Sequence, residues 1–117
     1  MNFNIVELRE GYAVFAVEPA EYHYNPIGVV DGGLAATVLD SAMGCAVHSM
    51  LPAGAAYTTL EIKVNFIRAM SANTGRVGCE AKIIHVGART ATAEGRVVDE
   101  SGKLYAHGST TCSIRGC

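Results

Sequence analysis

The chain has 117 residues, enough for one compact domain and too few for two. Half of it is apolar and 17% is charged, and nine Lys and Arg against eleven Asp and Glu give a formal net charge of −2, with no basic surplus to hold nucleic acid. The longest apolar stretch, residues 33–50, is broken by Asp40 and His48 and so does not read as a membrane span, while the N-terminal residues lack a signal-peptide pattern, which predicts a cytoplasmic protein.

No repeat, charge block or low-complexity linker divides the sequence, so a single domain over residues 1–117 is expected. Two short strands are predicted first, over residues 3–8 and 12–17, joined through Arg9, Glu10 and Gly11 and rich in aromatic and β-branched residues. Pro19 and Pro26 then bracket an irregular segment that cannot be helical.

A helix follows, over about residues 33–50, ended by Pro52 and Gly54. At 100° per residue its apolar side chains cover most of the circumference. They leave one narrow stripe of Thr37, Asp40, Ser41, Gly44 and His48. A solvated stripe usually carries Lys, Arg or Glu; this one holds small residues and one carboxylate, and is expected to pack against something. The remainder reads as strands. Residues 59–66 alternate, with Leu60, Ile62, Val64 and Phe66 on one face and Thr59, Glu61, Lys63 and Asn65 on the other. Three more strands, over residues 76–86, 90–98 and 103–114, continue what reads as an antiparallel meander. A nearly all-apolar helix must be covered, and inward small residues such as Ala81, Ala93, Gly95 and Gly108 suit a sheet curving closely around it. The expected architecture is α+β: a curved antiparallel sheet wrapped around one long central helix.

The four cysteines form no CxxC pair and no disulfide framework, and Cys45 with His48 reads as ordinary helix packing, so no metal site is expected. The chemistry converges on the start and middle of the helix. Asp31, Gly32 and Gly33 lead into it, where free backbone N–H groups can bind an anion or stabilise an oxyanion, and the glycines let a ligand approach. A plain opening turn with Asp31 as N-cap is the structural alternative. Asp40 is the helix's only acidic or basic side chain apart from His48, and a carboxylate in a crevice can act as general base or nucleophile. Gly44, one turn on, is expected to leave open space beside it. Gly32 and Asp40 are eight residues apart, about 12 Å along a helix, too far for one carbonyl to touch both. A shared substrate therefore implies two subunits with helices side by side in opposite directions, and hence a two-fold homodimer with two equivalent sites.

The segment N-P-x-G-x-x-D-G-G-L-A-A-T-V-L-D-S-A-M-G-C-A from Asn25, the run Y-T-T-L-E-I-K-V-N-F-I-R-A from Tyr57 and the stretch from Gly87 to Cys112 together resemble the hotdog-fold acyl-CoA thioesterases of the phenylacetate-pathway (PaaI-like) type. The resemblance spans roughly residues 12–114. It implies that Asp40 is the catalytic carboxylate, that the Gly32 amide polarises the thioester carbonyl, and that Asn25 helps to position the thioester or the water beside the other subunit's carboxylate. Thr58 or Thr59 falls where related enzymes place a Ser or Thr near that water. One departure is visible: Asp31 stands where the family commonly has His, and an ionised aspartate cannot donate the hydrogen bond that a histidine can. Arg68 and Arg89 are candidates for coenzyme A phosphates, with solvated surface arginines as the alternative. His23, His48, His85 and His107 have no partner visible in the sequence.

The sequence therefore predicts hydrolysis of an aryl- or short- to medium-chain acyl-CoA, with Asp40 as base or nucleophile and no cofactor beyond the coenzyme A of the substrate. Self-association as a homodimer is expected, with a homotetramer left open. The rival readings are a non-catalytic acyl-CoA binding module and a hotdog-fold acyl-thioester dehydratase or hydratase.

Overall fold

The computed structural model describes residues 3–17, 32–70 and 74–115. Six strands, β1 (Phe3–Arg9), β2 (Tyr12–Val17), β3 (Ala56–Phe66), β4 (Val77–Val86), β5 (Thr90–Asp99) and β6 (Leu104–Arg115), form one sheet, and one helix, α1 (Gly32–His48), lies on its concave face. The sheet runs β1-β2-β4-β5-β6-β3 and every pairing is antiparallel. The α+β architecture expected from the sequence is the one observed.

The pairing differs from a simple meander. β4, β5 and β6 are consecutive neighbours, but β3 pairs with β6 at the far edge and β4 pairs with β2. Alternation identifies a strand but not its partner. Here α1 crosses the sheet face before the chain forms β3, so β3 enters at the opposite edge and the chain must return to lay β4 in the middle.

The 17-residue helix is about 25 Å long. Its buried apolar side chains are those of Leu34, Ala35, Val38, Leu39, Ala42, Met43, Ala46 and Val47, two per turn, against inward residues such as Phe15, Cys79, Ala93, Val97 and Cys112. Small residues let helix and sheet meet closely. At Gly95 a Cβ would stand 3.1 Å from Leu39 Cδ2 and 3.3 Å from Met43 Cγ, and at Gly108 it would run into the carbonyl of Lys63. The helix C-terminus is tied to the β1–β2 turn through Ser49, whose hydroxyl donates to Ala46 O and accepts from Gly11 N, 2.7 and 2.8 Å away. Gly11 takes a left-handed φ of 76° there. At the β5–β6 hairpin Asp99 accepts hydrogen bonds from Ser101 N and Oγ, Lys103 N and the Tyr105 hydroxyl.

β3 departs from the predicted alternation. A bulge between Thr59 and Glu61 inserts Leu60 as an extra residue, so Thr59 pairs with Cys112 while Ile62, Val64 and Phe66 pair with Thr110, Gly108 and Ala106. Those four β6 residues are all buried on the helix side, so Thr59 shares their face rather than the opposite one. The Thr110 hydroxyl donates to Glu61 O at 2.8 Å, taking up a carbonyl that the bulge presents.

Cys79 and Cys112 are buried, Cys45 is half-buried, and all three are free thiols. Burial pushes the Cys45 thiol up and, with the nearby Glu80, the Cys79 thiol to about 12, so neither is an activated nucleophile. His107 lies on the outer face and is exposed, as its alternation requires. Among the described residues no helix is long and apolar enough to cross a membrane.

Candidate functional site

The helix brings the central residues together in a defined way. Gly32 begins α1, and the first amides of a helix have no intrahelical acceptor. Gly33, Thr37, Asp40 and His48 are exposed and Ser41 is half-buried, so the stripe predicted to be packed is, apart from Gly44, uncovered within the single chain. Asp40 makes no hydrogen bond or ion pair among the described residues, which leaves its carboxylate free to take a proton or attack a carbon. Because residues 32–48 form one continuous helix, the separation of about 12 Å between Gly32 and Asp40 holds.

The expected open space at Gly44 is filled. Gly44 is buried beneath the phenol of Tyr57: a Cβ at residue 44 would stand 3.2 Å from Tyr57 Cζ and nearer still to the hydroxyl. Tyr57 was not singled out from the sequence, because only the register of β3 against the helix brings it there. The signal available was a tyrosine two residues from Thr59 in a helix-facing strand. Burial first, then the charges of Cys45, Cys112 and Asp40, raise the phenol above its usual range.

The strand register also separates the two threonines. Thr59 shares the helix-side face with Tyr57, which pairs with Ile114, whereas Thr58 pairs with Ser113 on the outer face. The two candidate arginines are not brought together. Arg68 Nε donates to Leu104 O at 3.1 Å, at the start of β6, and its guanidinium lies 5.9 Å from the Tyr105 ring centroid. Arg89 O accepts from Ile114 N near the other end of β6. Ten strand residues separate these ends by roughly 30 Å. Asn25 and Asp31 lie outside the described residues, as do His23 and Cys117. Among the described residues no group of three or more His, Cys, Asp or Glu side chains could hold a metal ion.

The uncovered surface around this stripe is apolar where β3 continues past the helix. Leu60, Ile62 and Phe66 are 62%, 39% and 59% exposed on a strand that forms one edge of the sheet, and Ile67, just past its end, is 49% exposed. Edge backbone and exposed apolar side chains together are the features that favour pairing with another chain.

One antiparallel sheet packed around one long helix is the hotdog class of fold. Residues 27–106 match the thioesterase superfamily, and the chain belongs to that family. The 1,4-dihydroxy-2-naphthoyl-CoA hydrolase of Listeria monocytogenes is 26% identical over 98% of this chain and 92% of its own length. A mutant of the phenylacetic acid degradation protein PaaI from Thermus thermophilus superposes with a TM-score of 0.85 at 30% identity, covering 95% of this chain and 91% of that one. A hypothetical thioesterase of Streptococcus pneumoniae solved with coenzyme A gives a TM-score of 0.88 over 98% of this chain and 87% of that one; at 22% identity it shows the fold alone.

Proposed function

We propose that the protein hydrolyses the thioester of an aryl- or short- to medium-chain acyl-CoA at a site shared between two subunits. The observation that carries this reading is Asp40: an exposed carboxylate on α1 with no partner among the described residues, about 12 Å from the amide of Gly32. In a two-fold pair with antiparallel helices, the Asp40 of one subunit comes level with the Gly32 of the other.

Thioester hydrolysis needs three things from the protein. The carbonyl oxygen needs a donor where negative charge develops, and the Gly32 amide, with Gly33 leaving the approach clear, supplies it together with the helix dipole. The acyl carbon needs an attacker, and Asp40 either takes a proton from a water or attacks directly. The thioester and water need orientation, which we assign to Asn25 and to Thr59 in preference to Thr58, because Thr59 shares the helix-side face. Asp31 immediately precedes Gly32 in the sequence and does not remove the Gly32 amide. The acyl group enters between the paired helices. Arg68 and Arg89, being far apart on one chain, meet one coenzyme A only if they come from different subunits.

The relatives named above support coenzyme A as the carrier, since one is a CoA hydrolase and one fold relative was solved with coenzyme A. The test is a panel of aryl- and alkyl-acyl-CoAs with free thiol followed over time, for the native protein and Asp40→Ala. Turnover in the native protein that disappears in Asp40→Ala is expected. Undiminished turnover in Asp40→Ala would overturn the mechanism, and binding without turnover in the native protein would make it an acyl-CoA binding module.

A further inference from the structure

Tyr57 carries polar chemistry that the site as described leaves unused. Its ring packs against the core cluster, yet its hydroxyl makes no hydrogen bond among the described residues. Tyrosines that bury their rings usually find a partner for the hydroxyl. This one lies on Gly44, one helical turn from Asp40, at the point where a side chain of residue 44 would begin. Cβ positions four apart on a helix are about 6 Å from one another. Asp40 stands on the same stripe, near enough for its charge to act on the phenol. Gly44 is what admits the hydroxyl, since any larger residue would occupy the same place.

We propose that Tyr57 is a positioning residue: its hydroxyl and the Asp40 carboxylate together hold the water that attacks the thioester. Asp40 accepts one hydrogen of that water and the phenol oxygen accepts the other, which turns a lone pair toward the acyl cleft. The inference rests on the hydrolase reading above. The titratable groups around the phenol are Asp40, Cys45, Cys112 and His48, whose ring centroid is 6.1 Å away. The phenol is raised above its usual range and so keeps its proton at neutral pH.

The test is Tyr57→Phe, which keeps the ring and removes only the oxygen. We expect kcat to fall about tenfold, the size of one lost hydrogen bond, with KM and the thermal midpoint unchanged. Equal kcat in Tyr57→Phe and native protein overturns the role, as does a fall that merely follows a lowered thermal midpoint. A second readout needs no activity: the ultraviolet titration of Tyr57, isolated by subtracting Tyr57→Phe, should move to lower pH in Asp40→Asn. An unmoved titration removes the juxtaposition on which the role depends. If native protein releases no thiol from any substrate, the hydrolase reading fails and takes this one with it. Full native turnover retained in Tyr57→Phe defeats the Tyr57 role alone.

Discussion

Gly95 lies directly beneath Leu39: a methyl group at residue 95 would stand 3.1 Å from Leu39 Cδ2 and 3.2 Å from the carbonyl oxygen of Glu80. The leucine can yield by a few tenths of an ångström, but the strand carbonyl cannot without disturbing the ladder. Gly95→Ala should therefore cost about 1–3 kcal/mol, as overpacking in a closed core does. Leu39→Ala should cost about 2–5 kcal/mol by itself, because Leu39 is fully buried. In the double variant the smaller residue at 39 relieves the clash, so the summed losses should exceed the measured loss. Urea midpoints of the four proteins check this.

Gly44→Ala sets a methyl group against the Tyr57 phenol. The expected loss is about 1–3 kcal/mol if the ring stays in place. In a Tyr57→Phe background the nearest atom is gone and only Cζ, 3.2 Å from the new methyl, remains tight. Gly44→Ala should then cost less than in the native protein, which thermal midpoints would reveal. Equal costs in both backgrounds would mean that Tyr57 does not sit on residue 44.

Asp99 gives an acid-stability prediction. Hydrogen bonds from Ser101 first, then from Lys103 and Tyr105, hold its carboxyl at about 2, below the ordinary 3.8. A depressed folded-state value contributes stability that is fully present above the unfolded value and is lost as pH falls through the folded one. The native protein should therefore lose part of its stability between about pH 4 and pH 2. Asp99→Asn should start less stable at neutral pH and show a shallower fall over the same window, as read from urea midpoints against pH.

A shared site can be tested by mixing two inactive proteins. Asp40→Ala removes the carboxylate, and Gly32→Pro removes the amide at a first-turn position where proline is tolerated. Each should lack turnover alone. Dissociated and reassociated together, half of the dimers are mixed, and each mixed dimer has one site with both groups intact, so about a quarter of native activity should return. No recovery after demonstrated subunit exchange would place both groups of a site on one chain.

The exposed edge of β3 carries the dimer prediction. Phe66 is 59% exposed, so Phe66→Asp should change the stability of the isolated fold by less than about 1 kcal/mol. It should nevertheless yield monomers by sedimentation at micromolar concentration, with turnover lost in parallel. A stable dimer of Phe66→Asp would move the interface elsewhere.

Much of this was legible in the chain. The helix begins at Gly32, one residue before its predicted start, because a glycine pair followed by an apolar run at helical spacing marks a beginning clearly. β2 spans Tyr12–Val17 as read, β4 and β5 differ from their predicted bounds by one residue at one end, and β6 is shifted by one residue at both. The inward Ala81, Ala93, Gly95 and Gly108 are all buried. The face of Thr59 was not legible, because the single-residue bulge at Leu60 reverses the parity of the strand and leaves no mark in a pattern of alternating residues. Nor was Tyr57, whose contact with Gly44 joins residues on two elements that only packing brings together.

The sequence by itself determined the local choices: which segments are helix and strand, which residues are small enough to lie between them, and that one carboxylate interrupts an apolar helix. These follow from periodicity and side-chain size, which act over a few residues. Only the tertiary structure decided that β3 pairs with β6 rather than β4, that the notch at Gly44 is filled by a phenol, and that Arg68 and Arg89 stand at opposite ends of one strand. Those are contacts between distant parts of the chain, set by how the elements bury their apolar faces together, and no local pattern encodes which distant residue will be met.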